Sequence, residues 1–234
     1  MLELNLPYIQ IESNFPDNIT IFILGGRSPS PNWLKSLNFQ SETWAIDKGV
    51  DSCISTGIIP STLVGDKDSA DNSAWQWAAE TGCKVLSFDS EKDLTDFQLA
   101  LDIFGKKYHG KTHGIFLTGC WGGRFDHLWS ILITFISHTN GYQPVAMADE
   151  KEGMLFMRGS SKSLLNFKKS PLAISLIPFT KKCQNVCIDG VRWPLDGATL
   201  DYNEPYSISN RLSDDAVVSV SLSNGLLGIY WVWQ

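Results

Sequence analysis

The 234-residue chain is 43% hydrophobic and 19% charged, a balance that buries a core and argues against disorder. Its formal net charge is −6, and no lysine- or arginine-rich run interrupts it. That excludes the basic face of a nucleic-acid binder and means that a polyanionic ligand needs a cation to offset the charge. The length suits two small domains. No stretch approaches the roughly 18 apolar residues of a membrane-spanning helix, and Met1 to Leu6 lacks the basic start and apolar core of a leader. The five cysteines are odd in number and scattered, with no C-x-x-C and no histidine beside them. They read as reduced thiols of a cytoplasmic protein rather than as zinc ligands.

Ile19 to Leu24 is a β-branched apolar run ending in Gly25-Gly26-Arg27, the pattern of a buried strand followed by a tight loop. Trp44 to Ile46 forms a short second strand. Cys53 to Ile59 is ambiguous, and Ile58 to Val64 is a third strand that stops at Gly65-Asp66. A helix is expected over Asn72 to Thr81, with Gly82 as its stop. Lys84 to Phe88 is another strand. Phe97, Ala100, Leu101 and Phe104 then fall on one helical face, with Asp93 as the expected N-cap and Asp96 in the first turn. Gly114 to Thr118 is a strand, Asp126 to Ser137 a long apolar helix, and Val145 to Ala148 a last strand. Alternating strands and helices predict a doubly wound parallel sheet over residues 1–150.

From about residue 152 the texture changes. Met154 to Phe156, Ala173 to Ile177, Val186 to Ile188, Ala216 to Leu222 and Leu226 to Trp233 are apolar runs separated by the turn dipeptides Asp189-Gly190, Asp196-Gly197 and Asn224-Gly225. Residues 151–234 are expected to form an antiparallel β-sandwich.

Four loops follow predicted parallel strands and therefore lie along one sheet edge, where such folds bind ligands. Asp66 and Asp68 point the same way in extended backbone, and two carboxylates that close call for a cation or a proton between them. Oxygen ligands with no nearby His or Cys suit Mg²⁺ better than zinc, although an acidic surface turn has the same letters. Gly119 to Arg124 precedes a helix; its glycines can turn N–H groups toward an anion, and the Arg124 fork fits phosphate oxygens. Taken singly, Asp96 is also an ordinary first-turn acid, Asp126 a helix cap and His127 an exposed polar residue. No P-loop, Ser/His/Asp order or reactive-cysteine setting is present.

Taken in order, these stretches resemble the thiamine pyrophosphokinase family. The family's A-D-G-G, G-D-x-D-S, K-D-x-T-D and G-G-R-x-D-H segments correspond to Ala45-Ile46-Asp47-Lys48-Gly49, Gly65-Asp66-Lys67-Asp68-Ser69, Lys92-Asp93-Leu94-Thr95-Asp96 and Gly122-Gly123-Arg124-Phe125-Asp126-His127. The tail adds Ser175 to Pro178, Gly190 to Leu195 and Ser207-Ile208-Ser209-Asn210. The chain departs from the pattern in the first segment, where Ile46 precedes Asp47 and Lys48 replaces the first glycine. The resemblance implies a Rossmann-like catalytic domain followed by a β-sandwich that binds thiamine. It also implies transfer of a pyrophosphoryl group from ATP to the thiamine hydroxyl, giving thiamine diphosphate and AMP.

By analogy, Asp66, Asp68 and Asp96 hold Mg²⁺ and Arg124 clamps phosphate, with Asp96 or Asp68 as the proton acceptor. Asp47, Lys48, Gly49, Gly65, Ser69, Gly122, Gly123, Asp126 and His127 join Arg124 on the nucleotide side. Lys92, Asp93, Thr95, Ser207, Ser209 and Asn210 fall to thiamine, at the interface of a homodimer. Trp231 and Trp233 are the aromatic candidates to stack on the thiazolium, or else pack in the sandwich. A pyrophosphokinase for another alcohol, such as a hydroxymethylpterin, and a silent thiamine or nucleotide sensor are the alternatives.

Overall fold

The computed structural model of the chain describes every residue except 38–41, 67–71, 138–140, 205, 215 and 234. It opens with a hairpin, β1 (Leu2–Leu6) and β2 (Ile9–Ser13). An alternating series follows: β3 (Ile19–Ile23), α1 (Pro31–Ser36), β4 (Thr43–Ile46), α2 (Gly49–Thr56), β5 (Thr62–Gly65), α3 (Asn72–Glu80), β6 (Lys84–Ser87), α4 (Asp96–Lys107), β7 (Gly114–Thr118), α5 (Phe125–Ser137) and β8 (Gln143–Ala148). The rest is strand: β9 (Glu152–Arg158), β10 (Ser161–Phe167), β11 (Ala173–Pro178), β12 (Lys182–Asp189), β13 (Leu195–Asp201), β14 (Val217–Leu222) and β15 (Leu226–Val232). Among the described residues no helix is long and apolar enough to cross a membrane.

The chain forms two compact units, Pro16–Asp149 and Met1–Phe15 with Glu150–Gln234. In the first, the strand order is β8-β7-β3-β4-β5-β6, and every pair is parallel. From β8 to β5 the strands are buried on both faces because helices cover both, whereas the edge strand β6 is only partly covered. Phe22 stacks on Trp44 at 5.3 Å, and Phe104 of α4 meets both rings edge-on. On the opposite face Trp33 of α1 stacks over Phe116, the register partner of Ile21. Each such buried ring stabilises the fold by roughly 1.5–3 kcal/mol. After β6 the chain returns to the far side of β3, so the order reverses between β3 and β7, the crevice where open sheets bind ligands.

Local chemistry explains where the elements start and stop. The ambiguous segment at Cys53 is the end of α2, whose Val50 and Cys53 are buried three residues apart and whose C-cap, Gly57, is left-handed. β5 begins at Thr62 rather than Ile58; Pro60, with no N–H to offer a ladder, stands between. Helix α4 is capped by Thr95 and not by Asp93. The Thr95 hydroxyl accepts from the Gln98 N–H while the Gln98 amide oxygen accepts from the Thr95 N–H, a reciprocal pair that Asp93 cannot make from two residues earlier.

The second unit is antiparallel. One sheet runs β1-β2-β10-β14-β12-β13, and β11, β15 and β9 pair in that order in another layer. Phe167 of β10 meets Trp231 of β15 edge-on between the layers. The first fifteen residues belong here, not with the α/β series as expected. Leu4, Leu6, Ile9 and Ile11 alternate inward and are buried, and β2 pairs with β10 through Ile11 and Leu165. A hairpin with one apolar face needs a sheet to close on, and β10 supplies it.

Candidate active site

The loops after β4, β6 and β7 and the described start of the loop after β5 lie at the carboxyl ends of their strands. At the end of β4, Asp47 takes a left-handed backbone (φ 51°), which costs a non-glycine residue roughly 1–2 kcal/mol. Its N–H donates to the Val64 carbonyl at 2.8 Å, which extends the ladder to β5 and holds the turn. Gly49 then starts α2 against the end of β3. A Cβ there would stand 1.9 Å from the Ile23 carbonyl oxygen, so only glycine fits. Lys48 is exposed, with its Cβ lying over Gly25, which likewise has no room for a side chain. At the end of β5, Gly65 lets the Asp47 backbone and the Trp75 ring approach within 3.2 Å of where its Cβ would be.

Asp66 emerges next, and a cation meets it. The Lys92 ammonium lies 3.2 Å from Asp66 Oδ2 and 3.2 Å from Asp96 Oδ1, and donates to the Asp89 carbonyl at 2.8 Å. All three side chains are only about 15% exposed. Burial pushes the Asp96 carboxyl above the ordinary aspartate range, with Lys92 pulling against it. Burial works to lower the Lys92 ammonium, but its hydrogen bonds to Asp66 and Asp96 outweigh that and hold it above the usual lysine range. Two carboxylates on loops 30 residues apart thus share one positive charge. The donor set fits a hard divalent cation: only oxygens converge, and a cationic group already sits between them. Lys67, Asp68 and Ser69 lie outside the described residues. Among the described residues no three His, Cys, Asp or Glu side chains form a cage.

Across the crevice, the β3 and β7 loops are zipped together. The Gly26 N–H donates to the Gly119 carbonyl and the Arg27 N–H to the Trp121 carbonyl, both at 2.7 Å. Gly119, Gly122 and Gly123 all have φ near +70°, and a Cβ on Gly119 would strike the Leu24 carbonyl oxygen at 2.3 Å. Arg27 reaches on to Asp149, just past β8, through Nε and Nη2 at 2.8 and 2.6 Å; Asp149 is fully buried. Neither residue was identified from the sequence. An arginine directly after the Gly25-Gly26 strand end was the available signal.

Arg124 does not join the Asp66–Asp96 cluster in this structure. Its guanidinium makes a two-pronged ion pair with Asp126, two residues on and well exposed, and holds that carboxyl below its usual range. His127 is exposed beside them. Lys92 belongs to the carboxylate cluster, Asp93 is exposed, and the Thr95 hydroxyl caps α4.

The β-sandwich unit carries its own cleft of about 370 Å³, lined by Trp193, Pro194, Leu195 and the segment from Tyr206 to Asn210. Ser207 and Ser209 are on this wall, Ser209 with a left-handed backbone (φ 60°). Asn210 is buried, and its amide is engaged by the backbone: it donates to the Trp193 carbonyl at 2.7 Å and accepts from the Trp193 and Arg211 N–H groups. It braces the wall. Trp231 and Trp233 are buried in the sandwich, edge-on to each other, and are not available to stack on a ligand. The exposed rings at the cleft are Trp193 and Tyr206, with the Arg192 guanidinium over Trp193 at 5.0 Å. β15, which carries Trp231, lies between β11 and β9 rather than at an edge, whereas Trp193 and Tyr206 lie outside the strands.

Two family models match the chain: thiamin pyrophosphokinase, catalytic domain, over residues 34–145, and thiamin pyrophosphokinase, vitamin B1 binding domain, over residues 163–227. A thiamine pyrophosphokinase of Bacillus subtilis (strain 168) is 26% identical over 167 residues, 71% of this chain and 76% of that protein. Among solved structures, a thiamine pyrophosphokinase from Bacillus subtilis superposes with a TM-score of 0.77 at 23% identity, covering 93% of this chain and all of the other. A thiamin pyrophosphokinase from Candida albicans has a TM-score of 0.74 at 15% identity, covering 92% and 89%. The two models take up the sheet-edge loops and the cleft wall in the order in which they occur, and the chain belongs to the thiamin pyrophosphokinase family.

Proposed function

We propose that this chain is a thiamine diphosphokinase that transfers a pyrophosphoryl group from ATP to the thiamine hydroxyl, releasing thiamine diphosphate and AMP. The observation that carries this reading is the convergence of Asp66 and Asp96 on one cation at the carboxyl edge of the parallel sheet. Asp66 and Asp96, with Asp68, would hold Mg²⁺, which when bound neutralises the triphosphate and polarises the phosphorus under attack. The chain's own groups do the rest. The Gly122-Gly123 backbone presents N–H groups to phosphate, and Asp47, Lys48, Gly49 and Gly65 line the nucleotide side, to which the motif also assigns Ser69. Arg124 exchanges Asp126 for a phosphate oxygen, a swap that is easy because the pair is exposed and solvent-screened. Asp96 or Asp68 accepts the proton of the attacking hydroxyl; burial already biases Asp96 toward holding one.

The cleft at Trp193, Tyr206, Ser207 and Ser209 would take thiamine, with an aromatic face for the thiazolium cation. We further propose a homodimer that joins the α/β unit of one subunit to the sandwich of its partner at the thiamine site. The strongly exposed Phe125 and Trp129, stacked on α5, support an apolar contact. A cytoplasmic location is consistent with the scattered, unpaired cysteines.

The test is an assay of purified protein with thiamine, ATP and Mg²⁺, following AMP and thiamine diphosphate by chromatography. The expected result is equal amounts of both. Thiamine binding without either product would replace this reading with a sensor. No product and no thiamine binding would redirect the search to other alcohols, pterins first.

A further inference from the structure

Lys92 occupies the position that a metal ion shared by Asp66 and Asp96 would need. Its Nζ is 3.2 Å from each carboxylate, hydrogen-bonded to Asp66 Oδ2 and ion-paired with Asp96 Oδ1, and it also donates to the Asp89 carbonyl at 2.8 Å. The cluster is shielded from water, which strengthens both the attraction to Lys92 and the repulsion between the carboxylates if Lys92 leaves. A small divalent ion binds carboxylate oxygens at about 2.1 Å, so it would draw both into the space the ammonium holds. Two cations cannot share that space.

We infer that Lys92 is an internal counter-ion of the metal site: it holds Asp66 and Asp96 together in the free protein and is displaced when a divalent cation binds. This rests on the metal reading proposed above. Two consequences follow from charge alone. Metal binding to the free protein is weakened, because it must break two ion pairs and leave the ammonium without a counter-charge in the cluster. ATP removes that penalty, because its phosphates supply a new partner for the expelled ammonium. Lys92 therefore couples metal to nucleotide: the metal binds weakly by itself and tightly with ATP. Lys92 acts here as a positioning residue, distinct from the thiamine contact expected of its motif.

The test is a Mn²⁺ titration of the nucleotide-free protein, read by the electron paramagnetic resonance of free Mn²⁺, in the natural protein and in Lys92→Gln. The variant is expected to bind Mn²⁺ at least fivefold more tightly, to gain less from added ATP, and to melt several degrees lower in EDTA with recovery in Mn²⁺. Equal or weaker Mn²⁺ binding by Lys92→Gln would overturn the inference and leave the metal reading standing. If neither protein takes up Mn²⁺ even with ATP, beyond what the same ATP chelates without protein, both fall. A second measurement needs no variant. Acylation of Lys92 by an amine-reactive ester, quantified by mass spectrometry, is expected to rise at least threefold on adding saturating Mn²⁺; an unchanged rate would also overturn the inference.

Discussion

Asp149 is fully buried beside the reversal point of the sheet, and Arg27 brings it a guanidinium from the end of β3. Arg27→Met takes the guanidinium away from this buried carboxylate and is expected to destabilise the protein by about 3 kcal/mol, measured by urea unfolding. Asp66→Asn keeps volume and removes charge from the proposed metal site. Turnover is expected to fall at least a thousandfold with the circular dichroism spectrum unchanged; near-normal turnover would remove Asp66 from the site. Trp193→Ala is expected to raise the KM for thiamine about tenfold and leave that for ATP unchanged, because the ring projects into the sandwich cleft and stabilises no core.

At the scale of an element, the start of α2 is the tightest point of the proposed nucleotide side. Gly49 sits so close to the end of β3 that a methyl group would overlap the Ile23 carbonyl oxygen. Gly49→Ala therefore has to move either the helix or the strand. It is expected to abolish soluble expression or to lower stability by about 3 kcal/mol, at the upper end for overpacking. Helix α4 gives a graded comparison. Its cap is a single hydroxyl, and Thr95→Ala should cost about 1 kcal/mol by thermal melting, with the Asp96 carboxylate losing some of its fixed position.

Across the whole α/β unit, the edge opposite the candidate site carries a polar knot. Glu42 accepts from Ser61 at 2.8 Å, pairs with Lys107 at 2.5 Å and accepts from the Tyr108 hydroxyl. Burial works to raise this carboxyl, but the three hydrogen bonds outweigh it and hold it at about 2. A carboxyl whose pKa is lower folded than unfolded stabilises the fold above its unfolded value, near 4.5, and loses that contribution as pH falls toward 2. The natural protein is therefore expected to lose more stability than Glu42→Gln between pH 4.5 and 2, and the two should run parallel above pH 5. Parallel curves across the lower range would show that the knot contributes nothing through charge.

Period and punctuation in the chain determined much of this architecture. The apolar runs ending in Gly25, Gly65 and Gly119 could only be buried strands, and their glycines marked the edge where the loops meet, because local sterics and hydrophobic burial act through near neighbours. The same was true of the loops carrying Asp66 and Asp96, since strands in parallel must present their carboxyl ends together. Other features depended on partners far away in sequence. The hairpin of residues 2–13 found its sheet 150 residues on, and its alternating leucines named a buried face without naming what covers it. Trp231, Trp233 and Trp193 are chemically alike, and only packing decided that the first two fill a core while the third stands at a cleft. Arg27 with Asp149, and Lys92 between Asp66 and Asp96, are pairings of charge across loops. Residue spacing makes such charges available to one another; which of them meet is settled by where the finished sheet brings its loop ends, since a contact between distant residues has no local signature.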